Sequence, residues 1–213
     1  MIVDSTFASP FLARPLDHGA DFVVHSATKY LSGSGDAIGG VVAARDAAEE
    51  PALTRVMKLA GGILSVWEAH SIARGLRTLA LRMERQCTNA ETIAERLSSH
   101  ERIKKVYYPK LAADGLASRM LRKPYGGALV SIVLADDTRE AAWKFMDSLK
   151  LCMRATTLGD VFTNVSHSST SSHRELSAER RMELGISDGL VRISVGIENV
   201  EDLLADIDQA LRS

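Results

Sequence analysis

A lysine that closely follows two hydroxyl residues is the strongest chemical signal in the chain. Lys29 follows Ser26 and Thr28 in the run VVHSATKY, and Asp4 ends a short apolar segment upstream. A lysine amine can form an imine with an aldehyde, hydroxyl groups can bind a phosphate, and a carboxylate can pair with a protonated pyridine nitrogen. Together these groups suit pyridoxal 5′-phosphate (PLP). The competing interpretation is an ordinary surface lysine, which is the common case for a lysine taken alone.

The sequence around Lys29 resembles a known enzyme family. Residues 1–40 are similar to the cofactor-lysine segment of the Cys/Met-metabolism PLP-dependent enzymes, the group of cystathionine γ-synthase, cystathionine γ-lyase and methionine γ-lyase. The resemblance continues through residues 61–86 and through GISDGLVRISVGIENVEDLLADIDQ at residues 185–209. It implies an α/β fold of the PLP-dependent transferase fold type I (aminotransferase-like), with part of the large domain followed by the small C-terminal α/β domain.

The resemblance also implies roles for the residues around the lysine. Asp4 would bind the pyridine nitrogen of PLP, and Ser26 and Thr28 would contact its phosphate. We expect the strand to bend into a loop at this point, with Ser26 and Thr28 both facing the phosphate. Lys29 would hold the cofactor and then transfer protons at the substrate.

A second implied site binds the substrate carboxylate. Arg192 stands at the family position whose guanidinium clamps the α-carboxylate of an amino acid, and its planar fork can make two bonds where lysine makes one. Thr157 stands where the family usually has a serine near that carboxylate. The expected function is therefore β/γ-elimination or γ-replacement on sulfur-containing or O-activated amino acids, the chemistry of trans-sulfuration.

Several positions depart from the family pattern. Residues 162–164 read Phe-Thr-Asn where relatives usually have Glu-Ser-Leu, so an unusual substrate preference is expected. Residues 66–68 also differ, and we interpret these as packing changes. The segment SHSSTSSH at residues 166–173 predicts a polar loop at the mouth of the site. A metal site is disfavoured because the spacing of His167 and His173 fits no standard zinc pattern.

The resemblance spans only about the second half of a family member. The family's glycine-containing phosphate loop, its ring-stacking tyrosine and its Tyr/Arg pair have no counterpart in this sequence. We therefore expect a split enzyme in which a second polypeptide, resembling the family's N-terminal half, completes each site. Relatives form two-fold symmetric dimers and tetramers, which predicts a hetero-oligomer up to a heterotetramer. Two alternatives remain open, a cofactor-free interaction or regulatory subunit and an inactive fragment of the same fold.

Composition limits the other partners and the compartment. The 213 residues are 46% hydrophobic, and 26 basic against 27 acidic residues give a net charge of -1, so no global field favours nucleic acid or an anionic membrane. Two cysteines cannot form a disulfide framework, and the start MIVDSTF has no basic or long apolar leader. A cytoplasmic protein is expected, with Cys87 a small buried residue of a helix rather than a nucleophile.

The elements that must position these residues can be predicted from hydrophobic periodicity. Short apolar runs at residues 2–3 and 22–25 favour buried strands of a mostly parallel sheet. Further strands are predicted at residues 39–44, 103–108, 128–134 and 191–195, and amphipathic helices at residues 138–149 and 200–211. A helical connector at residues 53–97 is expected to have breaks or close-packing points at Gly61, Gly62, Ser65 and Gly75. Its arginines 74, 77, 82 and 85 are interpreted as a solvated or inter-subunit face. The predicted domains are residues 1–88, the PLP-binding part with its connector, and residues 89–213, the small domain.

Overall fold

The chain folds into two compact units, Met1–Leu81 and Arg82–Ser213. The structure is a computed structural model that describes residues 1–113 and 115–213. The boundary lies within one long helix, Leu79–Ser98, and the predicted boundary after residue 88 falls within that same helix. The strands are β1 (Ile2–Asp4), β2 (Phe22–Ser26), β3 (Gly40–Ala44), β4 (Ile103–Tyr107), β5 (Leu129–Leu134), β6 (Met153–Arg154), β7 (Asn164–His167) and β8 (Leu190–Ser194). The helices are α1 (Ser9–Leu12), α2 (Glu50–Ala60), α3 (Val66–Leu76), α4 (Leu79–Ser98), α5 (Leu116–Met120), α6 (Arg139–Ser148), α7 (Ala178–Glu183) and α8 (Val200–Leu211).

The first unit is built on a three-stranded sheet in the order β1-β2-β3. β1 runs parallel to β2, as predicted, whereas β3 pairs with β2 in the antiparallel sense. The chain between Ser26 and Gly40 makes a tight helical turn and no crossover helix, and a parallel return would need a crossover of about a dozen residues or more. The expectation of a mostly parallel sheet therefore holds only for the first pair of strands.

The helical connector breaks where small and capping residues interrupt it. α2 ends at Gly61, whose φ of +77° is the left-handed conformation typical of a helix C-terminus. α3 begins with a capping box in which the Ser65 hydroxyl accepts a hydrogen bond from the Glu68 amide and the Glu68 carboxylate accepts one from the Ser65 amide. At Gly75 a Cβ atom would lie 2.1 Å from the carbonyl oxygen of Ser32, so α3 approaches that backbone too closely for any other residue.

Two of the three departures at residues 66–68 are not packing changes within the chain. The side chains of Val66 and Trp67 are 83% and 81% exposed. Glu68 instead has a local role, since it closes the capping box of α3. These two apolar residues therefore belong to the molecular surface of the first unit, and their substitution leaves its core unchanged.

The second unit is a five-stranded sheet in the order β4-β5-β8-β7-β6, covered on one face by helices. Neighbouring strands pair in the antiparallel sense except for the short parallel pair of β6 and β7. Alternate residues of β5, β7 and β8 point into an apolar core, which α4, α6 and α8 complete. The core includes Ile93, Leu97, Val130, Ile132, Phe145, Val165, Val191, Ile193, Leu203 and Ile207.

The predicted polar loop at residues 166–173 starts too early. Ser166 and His167 belong to β7, whose four residues are all buried. The sequence pattern did not predict this strand, because Val165 is its one apolar residue. The polar residues of β7 are nevertheless buried, so both faces of the strand are covered. The remaining residues form a 3-10 turn, Ser168–Thr170, and the irregular chain after it.

The interpretation of the four arginines as one solvated face is wrong at Arg82. Arg74, Arg77 and Arg85 are exposed, but Arg82 is only 6% exposed. Burial lowers the pKa of Arg82, and the nearby carboxylate of Asp160 opposes that shift. Arg82 is thus a buried cation with an acidic neighbour in the second unit.

Cys87 is confirmed as a buried helix residue. Its side chain is fully buried, and burial raises the pKa of its thiol to about 12. A thiol with that pKa is protonated at neutral pH, which disfavours a role as nucleophile. Among the described residues, no helix combines the length and the apolar character needed to cross a membrane.

Candidate functional site

The first unit brings Asp4 and the lysine segment to one edge of its sheet. β1 and β2 are parallel, so their carboxyl ends lie side by side, with Asp4 at the end of β1 and Ser26 at the end of β2. Ligands of α/β proteins bind at this edge. Four predicted site residues, Asp4, Ser26, Thr28 and Lys29, therefore share one place in the fold.

Lys29 lies in a tight turn that begins as soon as β2 ends. Residues Ala27–Leu31 form a π-helical turn, and the backbone at Lys29 departs from helical geometry with φ −90° and ψ −128°. The strand has therefore ended before Thr28, and the expected bend into a loop is present. Such single π turns occur frequently at functional sites.

Thr6 joins the two strand ends, and the sequence analysis did not identify it. Its hydroxyl oxygen accepts a hydrogen bond from the backbone amide of Ser26 at 2.8 Å, and its own amide donates to the Asp4 carboxylate at 2.9 Å. The available signal was the spacing Asp4-Ser5-Thr6, in which a carboxylate accepts from the amide two residues later. The long-range bond to Ser26 has no local sequence signal.

The carboxyl group of Asp4 is held in its charged form. Hydrogen bonds from the Thr6 side chain and then from the Thr6 amide lower the pKa of Asp4 below its ordinary value. An ionised carboxylate at this position can pair with a cationic ring nitrogen, and this is the charge state that PLP requires of such a partner. On this observation the residues present fit the cofactor.

The Thr28 hydroxyl ties the lysine turn to the start of β3. It accepts a hydrogen bond from the Gly39 amide at 3.0 Å, whereas its contact with the Gly39 carbonyl oxygen is long, 3.4 Å. The hydroxyl proton is therefore weakly engaged. A phosphate oxygen near Thr28 would be a stronger acceptor for that proton, because it is charged.

Arg192 and Thr157 meet in the second unit. The Arg192 guanidinium donates from Nη2 to the carbonyl oxygens of Thr156 and Thr157, at 3.0 and 3.2 Å. Arg192 lies on the central strand β8, on the face opposite the apolar core, directly across from Ser166 of β7 and Ser131 of β5. On this face Arg192 therefore has a hydroxyl residue beside it on each neighbouring strand.

The departures at residues 162–164 have separate structural consequences. Thr163 is fully buried, and its amide and hydroxyl donate to the Glu198 carboxylate at 2.6 and 2.9 Å, so a hydroxyl is kept where relatives usually have serine. Phe162 is 54% exposed. Asn164 is buried on β7, and its Nδ2 has no hydrogen-bond partner among the described residues.

The two histidines of the polar segment have different surroundings. Both ring nitrogens of buried His167 are engaged, Nδ1 with the Thr170 hydroxyl at 2.8 Å and Nε2 with the Asp188 carbonyl oxygen at 2.7 Å. His173 contacts the Ser172 hydroxyl. In the part of the chain that the structure describes, no group of three or more His, Cys, Asp or Glu residues could hold a metal ion.

The lysine turn at a parallel sheet edge and the helix-covered second sheet define fold type I of the PLP-dependent enzymes. Cystathionine gamma synthase from Xanthomonas oryzae pv. oryzae, solved in complex with aminoacrylate and cysteine, matches with a TM-score of 0.93 at 41% identity, over 99% of this chain and 55% of that one. The chain belongs to the Cys/Met metabolism PLP-dependent enzyme family, which it matches over residues 1–212.

Individual relatives agree with this assignment. The chain is 43% identical over 215 residues to an L-methionine gamma-lyase of Fusobacterium nucleatum subsp. nucleatum, over 99% of this chain and 54% of the relative. It is 42% identical over 218 residues to a cystathionine gamma-lyase of Bacillus subtilis, over 100% and 56%. The chain thus spans about half the length of the curated relatives it matches.

Proposed function

We propose that this chain carries the lysine and the carboxylate-binding residues of a PLP-dependent enzyme that performs β/γ-elimination or γ-replacement on sulfur-containing or O-activated amino acids. The observation that carries the proposal is the shared sheet edge, where an ionised Asp4 lies beside the turn of Lys29 and Thr6 links the two. Family membership supports the choice of cofactor. The names of the relatives support the choice of reaction.

Four residues of the first unit would hold the cofactor. Lys29 would bind it covalently, Asp4 would pair with its ring nitrogen, and Ser26 and Thr28 would bind its phosphate. When bound, PLP withdraws electrons from the substrate Cα and so makes the Cα proton acidic. The Lys29 amine is then the base that accepts this proton and the acid that returns it.

Arg192 and Thr157 would bind the substrate by its carboxylate. The guanidinium presents a planar fork, and the Thr157 hydroxyl adds a third donor. Exchange of the carbonyl oxygens of Thr156 and Thr157 for a charged carboxylate gives Arg192 a stronger acceptor. Fixing the carboxylate limits the orientations that the bound amino acid can adopt.

The cofactor role of Lys29 can be tested by chemical trapping. The protein, alone and with its proposed partner described below, is incubated with PLP, reduced with borohydride, digested and analysed by mass spectrometry. We expect the reduced label on Lys29, its loss in Lys29→Ala, and full labelling in the control Lys58→Ala on α2. Label confined to other lysines, or retained in Lys29→Ala, would contradict the assignment.

The substrate role of Arg192 is tested by Arg192→Lys. Replacing a two-bond clamp by a single contact is expected to weaken amino-acid binding by about 1.5–3 kcal/mol, the contribution of a charged hydrogen bond, while PLP labelling is retained. Release of a keto acid from L-methionine and from L-cystathionine reports the reaction. Unchanged amino-acid affinity would show that the carboxylate binds elsewhere.

We also propose that a second polypeptide, resembling the N-terminal half of the family, covers the first unit and completes the site as a hetero-oligomer. Support comes from large apolar side chains that the first unit leaves exposed. Val56 and Leu59 of α2 are 63% and 78% exposed, and Ile2 and Ile38 lie exposed on or beside the sheet. Contiguous exposed apolar surface marks interaction sites in proteins.

Sedimentation of this chain mixed with the unmatched half of an L-methionine gamma-lyase tests the partner. We expect a defined complex, which Val56→Lys and Leu59→Lys abolish and which the matched control Met182→Lys on α7 leaves intact. A chain that stays monomeric in the mixture and turns over amino acids unaided would contradict the split enzyme.

The described cysteines, Cys87 and Cys152, are both buried free thiols, which supports our proposal of a reducing, cytoplasmic location.

A further inference from the structure

The segment that carries Thr157 is attached along its length to β8 and the turn after it. Arg192 bonds to the carbonyl oxygens at residues 156 and 157, and the Ser194 hydroxyl accepts a hydrogen bond from the Gly159 amide at 2.9 Å. Further along, the Ile197 amide donates to the carbonyl oxygen of Val161 at 2.9 Å. The position of this segment is therefore set by contacts spaced along one strand and its turn.

Ser194 and Gly159 form the buried part of this attachment. Ser194 is fully buried, Gly159 is buried, and the φ of Gly159 is +80°, so the chain turns there in the left-handed region. A buried amide without an acceptor is costly, because it loses its hydrogen bonds to water and gains none in return. The Ser194 hydroxyl oxygen is the acceptor that this turn has.

The two contacts are two residues apart both on β8 and on the Thr157 segment. Ser194 lies two residues after Arg192, so both side chains point to the same face of β8, and Gly159 lies two residues after Thr157. The bond between Ser194 and Gly159 thus fixes the segment one step beyond the point where Arg192 contacts it. If this hydrogen bond is lost, the segment is held mainly by the Arg192 guanidinium, which is the group that must turn toward a substrate.

We propose that Ser194 is a positioning residue for the substrate carboxylate. The Ser194 hydroxyl holds the Gly159 amide, and the short backbone between Gly159 and Thr157 then keeps Thr157 beside the Arg192 guanidinium. The inference rests on the proposed function of Arg192 and Thr157 and adds to it a residue that does not touch the substrate. Ser194 acts only through the segment that it anchors.

Three variants separate positioning from simple stability. Ser194→Ala removes the acceptor, Ser194→Thr keeps a hydroxyl, and Asp206→Asn is the control. Asp206 is a buried residue of the same unit whose carboxylate accepts hydrogen bonds from the amides of Lys150, Leu151 and Cys152, which precede the Thr157 segment and do not belong to it. Its substitution lowers stability without removing a contact of that segment.

Binding is measured on the intact chain, with PLP and its proposed partner half present, by titration with L-methionine, followed through the ¹H–¹⁵N signals of Thr157 and Gly159. We expect Ser194→Ala to weaken binding about tenfold, which corresponds to the loss of roughly one hydrogen bond. Ser194→Thr is expected to restore most of the affinity. The control Asp206→Asn should bind like the unmodified chain, although its midpoint of unfolding in urea falls.

The outcomes distinguish this inference from the proposed function. If Arg192→Lys weakens binding but Ser194→Ala does not, or weakens it no more than Asp206→Asn, the positioning role is refuted and the carboxylate site stands. If the unmodified chain, with PLP and its proposed partner half present, shows no binding that depends on Arg192, the carboxylate site itself is wrong and the inference falls with it. Should Ser194→Ala not fold, Ser194→Cys, which keeps the size and weakens the acceptor, takes its place with the same expected order.

Discussion

Replacing Thr6 by valine tests how the two halves of the cofactor-binding edge are held together. Thr6 is 8% exposed, and valine keeps its shape while it removes the hydroxyl. The change leaves the Ser26 amide without the acceptor that it contacts at 2.8 Å, and it deprives Asp4 of its side-chain hydrogen bond. Both effects weaken the link between β1 and β2 at the edge where Lys29 follows.

The magnitude can be worked out from the two lost bonds. An unsatisfied, largely buried amide costs about 1–3 kcal/mol. The Asp4 carboxylate is exposed and screened by solvent, so its bond adds little to this cost. With an m-value of about 2 kcal/mol per molar urea, the unfolding midpoint of the first unit is expected to fall by about 0.5–1.5 M.

Two measurements check this expectation. Urea unfolding is followed together with hydrogen exchange of the Ser26 amide, which should lose its protection in Thr6→Val. The pKa of Asp4, followed by carbon NMR, should rise toward its ordinary value because the bonds that favour the charged form are weakened. Thr54→Val is the matched control, since the Thr54 hydroxyl contacts only an exposed carboxylate in the described contacts. A Ser26 amide that stays protected in Thr6→Val, with the midpoint of the control, would refute the reasoning.

Three further predictions concern packing, pH and thiol reactivity. Gly75→Ala should destabilise the first unit by about 1–3 kcal/mol in urea unfolding, because the new Cβ meets the Ser32 carbonyl, while Gly62→Ala, which meets nothing within 4 Å, should not; equal midpoints would contradict this close approach. Burial alone would raise the pKa of Asp206, but the hydrogen bonds from backbone amides outweigh burial, so the pKa is lowered. The Asp206 carboxylate therefore contributes to stability above pH of about 4, and this contribution is lost as pH falls below that value. Asp206→Asn should therefore lower stability at pH 7 and flatten its decline in acid, and an unchanged profile would argue against these bonds. Cys87, with its pKa raised to about 12 by burial, should resist iodoacetamide at pH 8 until the chain is unfolded, and rapid labelling of the native chain would contradict its burial.

The parts of the site that local sequence determines could be predicted. Asp4 and the lysine turn end neighbouring apolar runs, and two short parallel strands must place those ends together. The breaks at Gly61 and Ser65 were also predictable, because glycine and capping residues act on the backbone next to them. In the second unit, the placement of Arg192 on the face opposite Val191 and Ile193 follows from simple alternation along β8.

The parts that depend on long-range contacts could not be predicted. Thr6 receives its partner from a different strand, and Thr163 receives Glu198 from a turn 35 residues later. The direction of β3 relative to β2 depends on whether the chain between the two strands forms a turn or a crossover helix. Arg82 looks like its exposed neighbours in sequence, and only the fold places Asp160 close enough to make its burial tolerable.

The anchoring of the Thr157 segment on β8 separates two kinds of recognition. Every amino acid has the same α-carboxylate, and the residues proposed to bind it are fixed by a single strand and its turn. The mostly polar residues 171–176 line a cavity with Thr156, and under the proposed function the variable end of a substrate would meet such a cavity. Substitutions in these residues would therefore leave the residues proposed to bind the α-carboxylate unchanged. Under the proposed function, changes in this cavity would alter which substrate side chain is accepted and would leave the residues for the carboxylate in place.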